Sequence, residues 1–238
     1  MLNPDGSFLW TRNNANDIDL NRDAQDLSQP ESKILKSVFD RFQPDFCFNL
    51  HGQRTIYGFE KTGKSSILSF LAPSADEERS FGFSRKRSTY LISHIYTSLQ
   101  SELTGSIGLY DDGFNNNCVG DAFQELGVPT ILFEAGHFPG DYAREKTRAY
   151  IFYAILYAIE AASNDIKYSL ETYNSIPQHS KCYCDLHFEK SNNIEKYYYK
   201  EVKKDDGILF EPIPLPEGLG DGSICYELVN EIKSFTIC

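Results

Sequence analysis

Two apolar runs constrain this chain more than any other feature. Phe46-Cys47-Phe48-Asn49-Leu50 ends on His51 and Gly52, and Val128-Pro129-Thr130-Ile131-Leu132-Phe133 ends on Glu134. Short runs of this kind read as buried strands in a sheet covered by helices. Each delivers a titratable side chain to a strand end, which is where open α/β sheets keep their ligands. Taken singly, His51 reads as a histidine that merely ends a strand, and Glu134 as a buried structural carboxylate.

Helical patterns surround the two runs. Pro30 suits a first helical position, and Ile34, Leu35, Val38, Phe39 and Phe42 form one apolar stripe that stops before Pro44. Ala75 to Leu103 predicts a long helix, with Tyr90, Ile92, Ile95, Leu99 and Leu103 near one face and Asp76-Glu77-Glu78 at its start. Val119 to Leu126 predicts a short helix closed by Gly127, and Asp141 to Ala162 a further helix dense in apolar residues. Residues 1–29, 52–73 and 105–117 are expected as loops, the second containing a short apolar patch from Ile67 to Leu71. The fold class is therefore α/β over residues 1–164, a mixed sheet flanked by helices. Beyond Asn164, strand-like runs at Tyr183 to Phe188, Tyr197 to Tyr199 and Ile208 to Phe210 predict a small β-rich extension over 165–238. Pro212, Pro214 and Pro216 are expected to break the last of them.

Composition narrows the function classes. A formal net charge of −11 argues against nucleic acid and anionic membranes as partners, since both need basic patches. No stretch reaches the roughly 18 apolar residues of a membrane helix. The N-terminal residues lack the basic and apolar regions of a signal peptide. Six cysteines are too few for a disulfide scaffold, and a reducing cytoplasm is the expected setting. Cys182, Cys184 and His187 form a loose cluster without the spacing of a zinc site, and plain alternation along a strand explains them.

Three further stretches give His51 and Glu134 a context: Asn3-Pro4-Asp5-Gly6, Trp10-Thr11-Arg12, and Asp19-Leu20-Asn21-Arg22-Asp23. In this order, from about residue 3 to residue 163, the chain resembles the zinc carboxypeptidase family, the carboxypeptidase A-like metallopeptidases. The resemblance implies zinc as cofactor and peptides as substrates, with small N-acyl amino acids as a related possibility. It makes His51 a zinc ligand and Glu134 the base that takes a proton from zinc-bound water. Arg12 would steady the developing oxyanion. Asn21 and Arg22 would hold the substrate's C-terminal carboxylate, a task suited to a guanidinium fork. Asp19 would orient a ligand histidine. Tyr110 stands roughly where a substrate-contacting tyrosine is expected, and the region from Cys118 to Asp121 is where selection of the terminal side chain is expected.

The pattern departs from the family in one essential part. Two zinc ligands should come from an early His-x-x-Glu motif, and none exists in this chain. The expectation is an N-terminally truncated member, weakly active or inactive alone. A non-catalytic remnant of the fold is the alternative within the same family. A different class is raised by Gly58-Phe59-Glu60-Lys61-Thr62-Gly63-Lys64-Ser65, which fits the phosphate-binding P-loop pattern. A P-loop must leave a buried strand and open a long helix, and the flanking residues predict neither.

Overall fold

The computed structural model describes residues 2–53, 55–190, 193–205, 207–216, 224–229 and 231–237. In chain order the elements are α1 (Pro4–Leu9), α2 (Pro30–Phe42), β1 (Cys47–Gly52), β2 (Gly58–Phe59), β3 (Lys64–Ser65), β4 (Leu68–Leu71), α3 (Phe83–Leu99), β5 (Ile107–Leu109), α4 (Val119–Glu125), β6 (Thr130–Ala135), α5 (Glu145–Ser163) and α6 (Leu170–Asn174). Five strands follow: β7 (Tyr183–Lys190), β8 (Asn193–Lys204), β9 (Gly207–Pro214), β10 (Ile224–Val229) and β11 (Phe235–Ile237).

The first sheet has the order β1-β6-β4-β5. β1 and β6 are parallel, β4 is antiparallel to β6, and β5 is parallel to β4. Its core face carries Phe48, Phe70 and Phe133, whose rings meet edge to face, and α3 and α5 cover them. Ile92, Ile95 and Leu99 of α3 and Ala154, Ala158 and Ala161 of α5 are buried there. The small alanines let α5 lie close to the sheet and to α3. On the other face α4 packs against β1 and β6, and its Phe123 stacks on Phe39 of α2 with ring centroids 4.2 Å apart. This is the mixed sheet flanked by helices that the sequence implies.

Several details differ from the sequence reading. The expected loop 52–73 supplies β4, a central strand whose residues are all buried. Ser69 interrupts its apolar pattern, but its hydroxyl lies 2.6 Å from that of Ser66, just ahead of the strand, and the two satisfy each other inside the protein. Likewise β5 lies inside the expected loop 105–117, and α1 inside the expected loop 1–29. The long helix starts at Phe83 rather than Ala75. Arg79 adopts positive φ, and Asp76 accepts from the Ser80 amide in a separate turn. The helix α5 starts at Glu145 because Asp141 accepts from the amides of Glu145, Lys146 and Thr147 and so caps it from outside. In α2 only part of the apolar stripe is covered, since Ile34, Val38 and Phe42 are exposed.

The P-loop alternative does not survive. Residues 58–65 form the antiparallel pair β2–β3, and Ser65 leads through Ile67 into β4 with no helix. Lys64 donates to the Thr104 carbonyl at 2.6 Å instead of facing a phosphate cradle.

The C-terminal sheet has the order β10-β7-β8-β9-β11. Pro212 and Pro214 do not break β9. They pair with Tyr199 and Tyr197 of β8, while β11 covers only Ile208 to Phe210 on the other side. Their missing N–H groups therefore fall on a locally open edge, where proline is tolerated. Cys184 and Cys225 stand opposite each other in the β7–β10 pair and are bonded, so the loose cysteine cluster is in part a crosslink. Tyr173 and Ile176, ahead of this sheet, sit in the core of the first one.

Candidate functional site

β1 and β6 end together, so His51 and Glu134 are direct register partners. On its other side Glu134 is opposite Ser69 of β4. Register partners share a face of a sheet. His51, Glu134 and Ser69 thus form one polar row, on the face away from Phe70 and Phe133.

The N-terminal segment brings cations to this row. Asn3 caps α1 by accepting from the Gly6 amide at 2.9 Å, and its Nδ2 donates to the Arg12 carbonyl at 3.3 Å. Gly6 has no substitute here: a Cβ would lie 2.3 Å from Asn3 Nδ2 and 2.8 Å from the Asn13 carbonyl. The Asn-Pro-Asp-Gly stretch is therefore a compact capped turn that positions the backbone at Arg12. Arg12 Nε meets Asp19 Oδ2 at 2.7 Å, and Asp19 Oδ1 accepts from the Asn21 amide at 2.9 Å. Asn21 Oδ1 in turn accepts from the Val119 amide at 3.0 Å, which ties this segment to the start of α4. Arg22 Nη1 donates to the Asn21 carbonyl at 2.6 Å. A groove of about 280 Å³ results, lined by Arg12, Asp19, Asn21, Asn49 and His51 among others.

Burial and charge set the protonation states. Burial pushes the Glu134 carboxyl up to about 7, against the pull of Arg12 and Arg144. Burial also lowers the His51 pKa, helped by Arg12 and Arg22 and opposed by Asp19. Near neutral pH, then, the imidazole is uncharged and the carboxyl is poised between its two forms. Arg12 acts on both groups, and both have an atom turned to no protein partner: His51 Nε2 and Glu134 Oε2 are buried without a hydrogen bond. A neutral imidazole nitrogen and a poised carboxylate oxygen side by side are equipped to meet a ligand and move a proton.

Of the residues singled out in the sequence, Arg12, Asp19, Asn21 and His51 line the groove, Glu134 adjoins it as the strand partner of His51, and Arg22 is within electrostatic reach of His51. Tyr110 does not join the groove. It follows β5, two strands away from β6, and its hydroxyl lies 3.1 Å from that of Tyr57. His179 stacks on Tyr57 and accepts an edge contact with Tyr110, while its Nδ1 lies 2.9 Å from Ser69 Oγ. Burial lowers the His179 pKa to about 4, so its ring is neutral. Sequence reasoning missed Tyr57, Ser69 and His179, because no local pattern announces that residue 179 returns to the sheet beside residue 69. Within the Cys118 to Asp121 region, Asp121 is buried and its carboxyl is raised by burial to about 6, with Arg22 opposing. His137, three residues beyond Glu134, turns the other way: it contacts Tyr142, and its Nε2 is 3.9 Å from Asp185 of the C-terminal sheet. Gly136 makes that turn possible, since a Cβ there would fall 1.8 Å from the Ser66 carbonyl.

Zinc is implied by the resemblance, and the residues present do not complete a site for it. Among the described residues no group of three or more His, Cys, Asp and Glu could hold a metal ion. His51 Nε2 is an available donor. Asp19 is engaged by Arg12 and Asn21 instead, and a catalytic zinc takes three protein ligands.

No family model matches the chain. Part of it is 32% identical, over 116 residues, to Carboxypeptidase SOL1 of Arabidopsis thaliana, a match that covers 44% of this chain and 23% of that protein. The chain thus spans about a quarter of the length of the curated relative it matches, and what it has in common with a carboxypeptidase-named protein is that portion.

Proposed function

We propose that this chain carries the proton-taking and carboxylate-gripping side of a peptidase site that removes residues from the C-termini of peptides. The observation that supports it most is the pairing of His51 with Glu134 at parallel strand ends, with Arg12 close enough to act electrostatically on both. In this reading Glu134 takes the proton of the attacking water, and Arg12 steadies the oxyanion that forms. Asn21 and Arg22, held by the 3.0 Å bond to Val119 and the 2.6 Å bond between them, face the substrate's terminal carboxylate. An N-acyl amino acid presents the same carboxylate and is the smaller alternative substrate. Among the described residues His51 is the zinc donor that the family resemblance assigns.

Carboxylate recognition is testable without metal. An acetylated dipeptide with a free C-terminus is expected to bind about tenfold more tightly than its amide, as a charge-assisted pair requires. Arg22→Ala should abolish that difference in calorimetry. Equal binding of acid and amide by the unaltered chain would sink the reading.

The donor shortage favours a second reading, a fold that has kept the groove but not the chemistry. A single imidazole cannot hold zinc at physiological concentrations, because affinity comes from several ligands presented together. Equilibrium dialysis of residues 1–238 is accordingly expected to find weak zinc binding, and an assay on the same dipeptide little hydrolysis. Tight stoichiometric zinc with clear activity would mean that further donors exist in this chain.

A further inference from the structure

A second groove, of about 460 Å³, opens beside the candidate site. Ile151 of α5 lies on one wall. Ile208 and Phe210 of β9 and Ile237 of β11 form the other, and Trp10 also lines it. The groove lies at the same end of the sheet as the site. Ala135, next to Glu134 in β6 but on the opposite face of the strand, lines it, as does Trp10, two residues before Arg12. Arg144 lines it as well, donating to the Ala135 carbonyl at 2.6 Å while its charge opposes the raised pKa of Glu134.

We propose that this groove holds the part of a peptide substrate upstream of its C-terminal residue, and that the segment it takes is extended and apolar. The proposal rests on the reading of the Glu134 site as one that acts on peptide C-termini. It makes the C-terminal sheet a wall of the substrate channel, and so gives residues 165–238 a part in selecting substrates.

Three observations carry it. The lining is mainly apolar where it could face a ligand, and Trp10 is 49% exposed, an unusual state for the largest apolar side chain. Of the charges lining it, Arg148 is paired with Glu145 and Arg144 donates to the Ala135 carbonyl, while Glu201 stands among the apolar residues of the C-terminal sheet. Finally, among the described residues β11 pairs only with β9 and forms the outer strand of its sheet. An extended peptide can add to such an edge through main-chain hydrogen bonds, whereas an alkyl chain cannot. Binding energy gathered along this groove is remote from the bond that breaks, and can be used to hold that bond in place over Glu134.

Trp10 is the single tryptophan of the chain, so its emission reports on the groove directly. The probes are acetyl-Gly-Leu, acetyl-Val-Leu-Val-Gly-Leu and acetyl-Ser-Gly-Ser-Gly-Leu, each with a free C-terminus and each titrated with its amide as control. The apolar pentapeptide is expected to bind about tenfold more tightly than the dipeptide, the gain from covering a few apolar side chains. It should shift Trp10 emission to the blue, and the Ser/Gly pentapeptide should gain nothing. Ile237→Asp, on a short outer strand, should remove most of the gain and leave dipeptide affinity unchanged. Ile208→Asp, checked for folding by circular dichroism, is the second variant. Equal affinity of the two pentapeptides, or a gain that survives both substitutions, overturns the groove; if Arg22→Ala still weakens all three peptides, the carboxylate reading stands. An apolar gain that depends on Ile237 while amides bind as well as acids overturns the reading, and with it the upstream assignment. No saturable signal with any peptide overturns both.

Discussion

Glu134 shows how one buried carboxyl couples chemistry to stability. Its pKa rises from 4.5 to about 7, chiefly through burial. Between those values the folded chain holds a proton that the unfolded chain has released. Stability from this group is therefore full below about pH 4.5 and declines as pH rises towards 7. A shift of that size corresponds to roughly 3 kcal/mol above pH 7. Glu134→Gln removes the ionisable group while keeping the shape, so the variant is expected to be more stable than the unaltered chain at pH 8, by about 2 to 3 kcal/mol. Near pH 4 the two should be alike. Urea unfolding at the two pH values measures this, and a variant less stable at pH 8 would show that the carboxylate is held by partners other than those described. In the proposed reaction the same ionisation makes hydrolysis rise as pH passes through about 7, since only the carboxylate can take a proton.

The elements explain why a phosphate-loop pattern can be present without its function. A P-loop works because successive backbone N–H groups and a helix N-terminus point at phosphate. Here Gly58 to Ser65 is a hairpin, its Gly63 at φ 68° makes the turn, and the Lys64 ammonium is spent on the Thr104 carbonyl. ATP is expected to show no saturable binding, and Lys64→Ala to leave an ATP titration unchanged. Saturable binding that the substitution removes would restore the nucleotide reading. The 3.0 Å bond from the Val119 amide to Asn21 makes the opposite case: a polar loop with no secondary-structure signal is fastened to a helix start and so becomes part of a site.

In the molecule as a whole, apolar surface is left uncovered on β1, α2 and α5. β1 is the outer strand of the first sheet among the described residues, and its Leu50 is 57% exposed. On α2, Ile34, Val38 and Phe42 are exposed at helical spacing, and on α5 Phe152, Leu156 and Ile159 repeat the arrangement. An open strand edge that carries an exposed leucine is a template for pairing with another chain, and exposed apolar helix faces add to the tendency. Residues 1–238 on their own are expected to self-associate with rising concentration, and Leu50→Lys combined with Val38→Lys to shift them towards monomer. Sedimentation velocity over a concentration series reads this out. A monomer at every concentration would mean that the edge is protected.

The legible part of this protein was whatever repeats locally. The runs ending at His51 and Glu134, the start of α2 at Pro30 and the buried face of α3 follow from patterns of polar and apolar residues, which burial imposes over a few turns or strand pairs. The order of Arg12, Asp19, Asn21, Arg22, His51 and Glu134 was legible as well, through a family resemblance. The serine-bearing strand β4 was not, because the Ser69 hydroxyl is satisfied by Ser66, just ahead of the strand, and by His179, a partner 110 residues away. Nor did any pattern foretell the return of His179 to the sheet, the departure of Tyr110 from the groove, or the wall that β9 and β11 set beside Trp10. Each depends on contacts between residues far apart in the chain, and a buried polar group reveals its partner only once the backbone has brought the two together.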